Sequence, residues 1–124
     1  MKLHNPARVF EVGLGKTIRM KDCAHVELAP DEQVTFITGS GGEYDVARKS
    51  WGFYATPSLN GRLREFGLRA LLIRNRLMKY FIVLVEREKE PLFKEYLREE
   101  GLRIVCWLDS REKLERLEGK EHGD

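Results

Sequence analysis

LRALLIR at residues 68–74 and KYFIVLVE at residues 79–86 are two near-continuous apolar runs in this sequence. Their apolar residues occupy neighbouring positions instead of alternating with polar ones, which is typical of strands covered on both faces. The polar pair Asn75-Arg76 between them indicates a hairpin. We therefore expect two adjacent central strands that form the spine of the fold.

A helix and a further strand are predicted after this hairpin. Pro91 suits the first turn of a helix, because its missing N–H would have no partner there. Gly101 stands where a glycine often ends a helix, and residues 102–108 are strand-like. A strand, a helix and a strand in this order predict a right-handed crossover and a parallel pair.

The first half of the chain consists of short strands separated by turn residues. β-branched, aromatic and alternating residues indicate strands at 8–12, 17–20, 23–28, 33–38 and 43–49. Gly39-Ser40-Gly41-Gly42 is the strongest hairpin signal. The parity of the apolar positions changes between Val46 and Trp51, which predicts a β-bulge at residues 50–52.

These patterns predict an α+β fold. A β-rich N-terminal half of antiparallel strands is joined to a β-hairpin–α–β C-terminal half, with a mixed sheet and one main helix. The length of 124 residues is that of one ordinary domain, so we assign residues 1–124 to a single domain. Asp109 or Ser110 is expected to cap a short last helix, and residues 118–124 are expected to fray.

The composition is that of a globular chain, with 42% hydrophobic residues, 34% charged residues and a formal net charge of +2. No apolar run approaches the ~20 residues of a membrane-spanning helix, and the first residues form no apolar leader. We therefore expect a cytoplasmic protein without membrane attachment. Cys23 and Cys106 are far apart and lie in apolar or alternating runs, so we interpret them as buried free thiols.

Two short motifs have a chemical meaning and a simpler explanation. Gly13-Leu14-Gly15-Lys16-Thr17 resembles the end of a P-loop, but Phe10 replaces the first glycine and a strand follows where a helix is needed. We interpret it as a hairpin turn. Cys23, His25 and Glu27 are zinc-ligand types on one strand face, yet they span about 13 Å. We predict neither a metal nor a cofactor.

Nucleophilic catalysis has little support in the sequence. It needs a base beside Ser or Cys and a group that orients this base, and His25 is the only histidine away from the chain ends. We expect a non-catalytic protein. A small enzyme that uses His25, Asp45 or both is an alternative.

Residues 62–79 form a basic segment, with six basic residues against a single acidic one. Such a patch can bind phosphates. Basic residues beside a hairpin tip also protect a sheet edge from pairing, and no aromatic RNA-binding motif is visible. A nucleic-acid-binding protein that uses this segment is thus the first alternative function.

The candidate functional surface is the segment 44–62. It concentrates aromatic, acidic, amide and arginine side chains around the predicted bulge and an irregular loop, a mixture that suits sugars and small anions. The candidate ligand-binding residues are Tyr44, Asp45, Arg48, Trp51, Tyr54, Asn60, Arg62 and Arg64. The competing interpretation places Trp51 and Phe53 in the core, with Tyr44 and Tyr54 at its margin.

The sequence therefore predicts a small binding or accessory module without catalytic activity. Its expected ligand is a polar small molecule, such as a sugar or sugar phosphate, or else a protein partner. If the strand at 102–108 lies at a sheet edge, it can also pair with a second copy and form a homodimer.

Overall fold

The computed structural model describes residues 1–4, 8–55 and 57–120. In this part of the chain the α+β class expected from the sequence is confirmed. The strands are β1 (Lys2–His4), β2 (Arg8–Val12), β3 (Ile18–Asp22), β4 (His25–Glu27), β5 (Gln33–Ile37), β6 (Glu43–Lys49), β7 (Gly52–Tyr54), β8 (Leu68–Arg74), β9 (Tyr80–Glu86) and β10 (Arg103–Trp107). The helices are α1 (Arg62–Glu65), α2 (Glu90–Glu100) and α3 (Arg111–Lys120), and Arg87–Lys89 forms a 3₁₀ turn.

The main sheet has the strand order β10–β8–β9. β8 and β9 pair antiparallel along their whole length, so the predicted hairpin is confirmed. The side-chain oxygen of Asn75 accepts hydrogen bonds from the backbone amides of Leu77 and Lys79, at 2.9 and 3.0 Å. Asn75 thus closes the hairpin turn with its own side chain, as asparagine does in many turns.

The second edge of this sheet differs from the prediction. α2 carries the chain from β9 past β8, and β10 then pairs antiparallel with β8. β9 and β10 run in the same direction, but β8 lies between them. The expected parallel pair is therefore wrong, and the described sheets are antiparallel instead of mixed.

Two small apolar clusters lie on opposite faces of the main sheet, because side chains alternate along a strand. Beneath α2 the buried residues are Leu71, Ile73 and Val85. On the other face they are Leu63 of α1 and, beneath it, Leu68 and Ala70 of β8. β8 contributes to both clusters, so the expectation of a strand covered on both faces is confirmed for β8.

The same expectation is wrong for β9. This strand lies at the edge of the sheet, and Tyr80, Phe81 and Ile82 in its first half are exposed. Only its second half, around Val85, reaches the buried clusters. A continuous apolar run therefore marks a covered strand in one case and an uncovered edge in the other.

α2 begins and ends as the sequence predicts. Pro91 lies in its first turn, and Gly101 follows its last residue in the left-handed conformation, with φ of 65°. The backbone amide of Leu102 donates to the carbonyl of Leu97 at 2.9 Å, which ties the chain back to the helix. α2 therefore ends within one residue, and β10 begins shortly after it at Arg103.

β5, β6 and β7 form a separate three-stranded meander. The predicted hairpin at residues 39–42 is confirmed, with Gly41 at a φ of 94°. Between β6 and β7, Ser50 and Trp51 make a second tight turn, and Lys49 lies opposite Gly52. The predicted bulge is wrong, because a hairpin turn causes the change of parity.

The remaining N-terminal strands form two-stranded ribbons, β2 with β3 and β1 with β4. The hairpin turn expected at residues 13–17 is confirmed. Cys23 is exposed between β3 and β4, so its predicted burial is wrong, whereas Cys106 is partly buried.

α3 contradicts part of the expected fraying, because residues 118–120 are helical; residues 121–124 lie outside the described part. Of the two predicted caps, Ser110 accepts a hydrogen bond from the backbone amide of Lys113 at 3.1 Å. No helix in the described residues is long and apolar enough to cross a membrane.

Candidate functional site

The residues expected to bind a ligand project from two opposite faces of the β5–β6–β7 meander. Tyr44 and Arg48 lie on one face of β6, and Asp45 lies on the other, because neighbouring side chains of a strand alternate. Tyr54 lies opposite Ala47 and therefore shares the face of Asp45. The strand geometry thus divides the predicted pocket instead of assembling it.

Tyr44 has a structural role on its face. Its ring stacks on Phe36 with a centroid distance of 6.2 Å, and it packs against the cluster that contains Leu63 and Leu68. Burial raises the pKa of the Tyr44 hydroxyl. The interpretation of Tyr44 as a residue at the margin of the core fits this position.

Arg48 holds the β6–β7 turn together. Its guanidinium donates hydrogen bonds to the carbonyls of Lys49 and Gly52, the latter at 2.9 Å. It also lies 5.4 Å from the centroid of the Phe53 ring, in a cation–π contact. Because these contacts occupy the guanidinium, Arg48 fixes the turn that carries Trp51.

The other face brings together Asp45 and Arg62. The hydroxyl of Thr35 donates to the Asp45 carboxylate at 3.2 Å, and the Arg62 guanidinium lies 3.7 Å from the same carboxylate. Arg62 also lies 5.4 Å from the Phe66 ring centroid. This pair is partnered within the chain, and an exposed ion pair of this kind contributes little to stability.

Trp51, Phe53 and Tyr54 are exposed around the β6–β7 turn, and we call these three side chains the aromatic surface. Trp51 lies in the turn, Phe53 lies on the Arg48 face of β7, and Tyr54 lies on the Asp45 face. Trp51 is 70% exposed and Tyr54 is 63% exposed, so the alternative that placed Trp51 and Phe53 in the core is wrong. A shallow depression of about 290 Å³ lies beside them, with Pro57 and Leu59 on its far side. Large rings held in water by a tight hairpin are suited to contact another molecule.

Two further predicted residues lie away from this surface. Asn60 is exposed in the turn before α1. Arg64 donates a hydrogen bond to the backbone carbonyl of Asp109 at 3.2 Å, which ties α1 to the end of β10. Arg64 is thus engaged in a contact within the fold.

The basic segment 62–79 is not one continuous patch. Arg62 and Arg64 lie on α1, whereas Arg74 and Lys79 lie at the opposite end of β8. A strand of this length spans roughly 23 Å. The charges are therefore split between two ends of the main sheet, and this weakens the case for a nucleic-acid interface.

Arg69, in the middle of that segment, is engaged inside the protein. Its guanidinium donates to Asp109 at 2.6 Å and to Glu90 at 2.8 Å, and it lies 4.0 Å from the Trp107 ring centroid. The hydrogen bond to Asp109, which is buried, contributes most to the raised pKa of Arg69. The network joins β8, α2 and the end of β10.

Sequence reasoning missed a buried carboxylate that accepts three backbone hydrogen bonds. Glu100, only 5% exposed at the end of α2, accepts hydrogen bonds from the backbone amides of Leu14, Gly15 and Lys16 at 2.8, 2.9 and 2.7 Å. These hydrogen bonds, that of Lys16 first, lower the pKa of Glu100. We call this arrangement the Glu100 clamp.

The Glu100 clamp explains why the turn resembles a phosphate-binding loop. Consecutive backbone amides form a concave anion site, and here the anion is a carboxylate of the same chain. A Cβ atom on Gly15 would lie 1.9 Å from the carbonyl oxygen of Glu99, so only glycine fits. The sequence signalled an anion-binding turn without indicating which anion.

An apolar cleft of about 480 Å³ opens beside the Glu100 clamp. Its walls come from the β2–β3 ribbon and from the first half of β9, and they include Val12, Leu14, Ile18, Phe81, Ile82 and Val83. A cleft of this volume lies in the range of ligand sites. The carboxylate at its base already has hydrogen-bond donors, so the cleft offers chiefly apolar contact.

The zinc-ligand types and the residues of the catalytic alternative lie on or between the short strands of the N-terminal half and of the meander. His25 is half exposed, and its Nε2 lies 2.9 Å from the Asp22 carboxylate. No group of three metal-ligating side chains occurs in the described residues. His25 and Asp45 lie in different sheets, so they do not form one catalytic pair.

No family model matches this chain, and no curated protein or solved structure matches it either. Fold likeness therefore carries no argument about function. The surfaces and side chains of this chain are therefore the basis for its function.

Proposed function

We propose that this protein is a binding module whose ligand is another protein, and that the aromatic surface of Trp51, Phe53 and Tyr54 is the contact site. Of the two ligand classes expected from the sequence, the protein partner has the better support. The observation that carries the proposal is the exposure of all three rings around one hairpin turn and on both sides of its edge strand.

The total surface of the chain supports the same conclusion. Its accessible area is 9361 Å², whereas a compact monomer of this mass exposes about 6,900 Å². The difference is well above the roughly 800 Å² that each partner buries in a standard interface. Many large apolar side chains are exposed on this surface, which is typical of a chain that associates with others.

The chemistry of the aromatic surface suits a protein interface. Tryptophan, tyrosine and arginine dominate the residues on which binding energy concentrates. Trp51 and Tyr54 lie on a short hairpin that Arg48 fixes from within. Less backbone entropy is then lost on binding, because the hairpin that carries the rings is already ordered.

A sugar site has less support, because its polar groups are already partnered. Asp45 and Arg48 point to opposite faces of the meander, and each is engaged with other groups of the chain. A sugar pocket needs several free polar groups that converge on one volume. We further propose a reducing compartment such as the cytoplasm, because Cys23 and Cys106 are free thiols.

The test compares two double variants in the cells that naturally make the protein. Trp51→Ser with Tyr54→Ser removes two of the three rings of the aromatic surface, and Leu77→Ser with Leu92→Ser removes exposed apolar side chains elsewhere. Partners are cross-linked, purified with the tagged protein and quantified by mass spectrometry. We expect a partner whose recovery falls at least tenfold in the first variant only.

Recovery of all partners at equal levels with both variants, or recovery of none with the wild type, contradicts the proposal. A sugar that raises the melting temperature of the wild type, but not that of Tyr54→Ser, would favour the small-molecule alternative. Circular dichroism of the variants verifies that each still folds.

A further inference from the structure

We infer that β9 pairs edge to edge with the β9 of a second copy of this chain, which gives a twofold dimer with a continuous six-stranded sheet. This interface uses the main sheet, not the aromatic surface on the β5–β6–β7 meander. The inference is therefore independent of the proposed function, and each can fail alone.

The first observation is that β9 leaves one edge of the main sheet open. The strand order is β10–β8–β9, and no described strand pairs with the outer edge of β9. β9 is seven residues long, longer than β5, β7 and β10, the other edge strands of the three-stranded sheets. A long edge of this kind presents a row of backbone donors and acceptors that another strand can use.

The second observation is that β9 lacks the usual protection of an edge. Proteins block edge pairing with charged residues, proline or a bulge. Residues 80–85 contain none of the charged residues or prolines, and the register between β9 and β8 is unbroken. The first residue of β10 and the last residue of β9 are both charged, so charge does not separate the two edges. β10, however, has a register shift between Ile104 and Cys106.

The difference between β9 and β10 favours a dimer through β9, whereas the sequence suggested one through the strand at 102–108. The strand at 102–108 does lie at a sheet edge, as the dimer required, but its register shift hinders regular pairing. β9 offers the same opportunity without this obstacle. A dimer through β10 remains one outcome that the experiment distinguishes.

The third observation is the apolar surface around the open edge. Ile82 is 57% exposed, on the sheet face that α1 covers only farther along the strand. On the face of α2, the apolar cleft borders Phe81 and Val83. An added strand about 4.8 Å from β9 would place alternate side chains against both of these apolar areas.

A second copy satisfies this edge better than an unrelated strand. An antiparallel strand is complementary to itself when a twofold axis passes near its centre, here around Ile82 and Val83. Each copy then offers the same uncharged residues to the other, and the assembly closes at two chains. The area that such a dimer needs also lies within the additional surface of the chain.

The experiment measures the oligomeric state of the purified full chain by sedimentation equilibrium over a wide concentration range. Ile82→Lys introduces a charge that would face its own copy across the twofold axis. Ile37→Lys is the matched control, because Ile37 is 75% exposed on β5, an edge strand of the β5–β6–β7 meander. Circular dichroism and thermal melts establish that both variants keep the wild-type fold.

We expect a wild-type dimer, a rise of at least tenfold in the dissociation constant for Ile82→Lys, and no change for Ile37→Lys. Hydrogen exchange should show the amides of residues 80–85 becoming slower as protein concentration rises. A monomeric wild type overturns the inference. A dimer that survives Ile82→Lys, that is lost in both variants, or that protects residues 103–107 instead also overturns it.

Discussion

The main sheet and the β2–β3 ribbon contain comparable apolar residues but bury them very differently. β8 places Leu71 and Ile73 in one cluster and Ala70 in the other. In the ribbon, every residue of β2 is exposed, and so is every residue of β3 except Asp22. The difference shows that apolar content alone does not make a core, because burial requires a second layer.

The Glu100 clamp is the connection between these two regions. Two-stranded ribbons are marginal on their own in water, and the β2–β3 ribbon has no covered face. Its turn is fastened to the end of α2 by three hydrogen bonds from backbone amides to one buried carboxylate. The ribbon therefore depends on a polar contact where the main sheet depends on apolar packing.

The largest expected effect is the loss of stability when a buried side chain of the main sheet is shortened, compared with an exposed one of the β2–β3 ribbon. Leu71→Ala removes a fully buried side chain, and we expect the free energy of unfolding to fall by roughly 3–4 kcal/mol. Met20→Ala, at a similar-sized but exposed side chain of the ribbon, should change it by less than about 1 kcal/mol. Urea denaturation measures both; equal losses would mean that the ribbon is as well packed as the sheet.

The next effect concerns the Glu100 clamp. Glu100→Gln replaces one accepting oxygen by an amide that faces N–H donors, so hydrogen bonds to the turn are lost. We expect hydrogen exchange of residues 8–22 to accelerate at least tenfold, while β8 keeps its protection. The neighbouring exposed Glu99→Gln should leave exchange unchanged. Uniform acceleration over the whole chain would contradict a local role.

The smallest effect concerns the contact between the meander and the main sheet. The Ser40 hydroxyl donates to Glu86 at 2.5 Å, and hydrogen bonds from Ser40, Thr38 and Lys89 lower the pKa of Glu86 to about 2. Because the folded pKa is below the ordinary value of 4.5, the stabilisation is present above pH 4.5 and is lost as the pH falls towards 2.

Melting temperatures of the wild type and of Glu86→Gln test this contact. Above pH 5 the wild type should have a higher melting temperature than Glu86→Gln, and this difference should disappear near pH 2. Glu88→Gln, at an exposed neighbour, serves as the control. A difference that stays constant over the whole pH range would refute the assignment.

Local signals in the sequence predicted those parts of the fold that local chemistry determines. Asn75 and the glycines at 39–42 marked hairpin turns, and Pro91 and Gly101 marked the two ends of α2. In each case one residue type suits one backbone conformation. These features required no knowledge of distant contacts.

The order of strands in the main sheet was not predictable in the same way. The run at residues 79–86 predicts a covered strand. In the structure β9 lies at an edge of the sheet, because β10 pairs with the other side of β8. That choice depends on how α2 packs, which involves residues far apart in the chain. The apparent bulge failed for a related reason, since a tight turn at Ser50 and Trp51 produces the same change of parity.

The candidate site was predicted only in part. The segment 44–62 does carry the aromatic surface. Strand alternation, however, places Asp45 and Arg48 on opposite faces of β6. The faces of the β7 residues depend in turn on the position of the β6–β7 turn, which the sequence did not predict. Glu100 could not be singled out among 20 acidic residues. Its partners in the turn lie more than eighty positions earlier in the sequence.

That separation has a consequence for the way the chain is synthesised. The ribbon leaves the ribosome long before the last turn of α2, which carries its anchor, has been made. Domains acquire structure as the chain emerges, and closing so large a loop costs entropy that must be recovered afterwards. Until residue 100 has been translated, Glu100 cannot bind the turn of the ribbon. We therefore expect the apolar residues of the nascent N-terminal segment to stay accessible to chaperones up to that point.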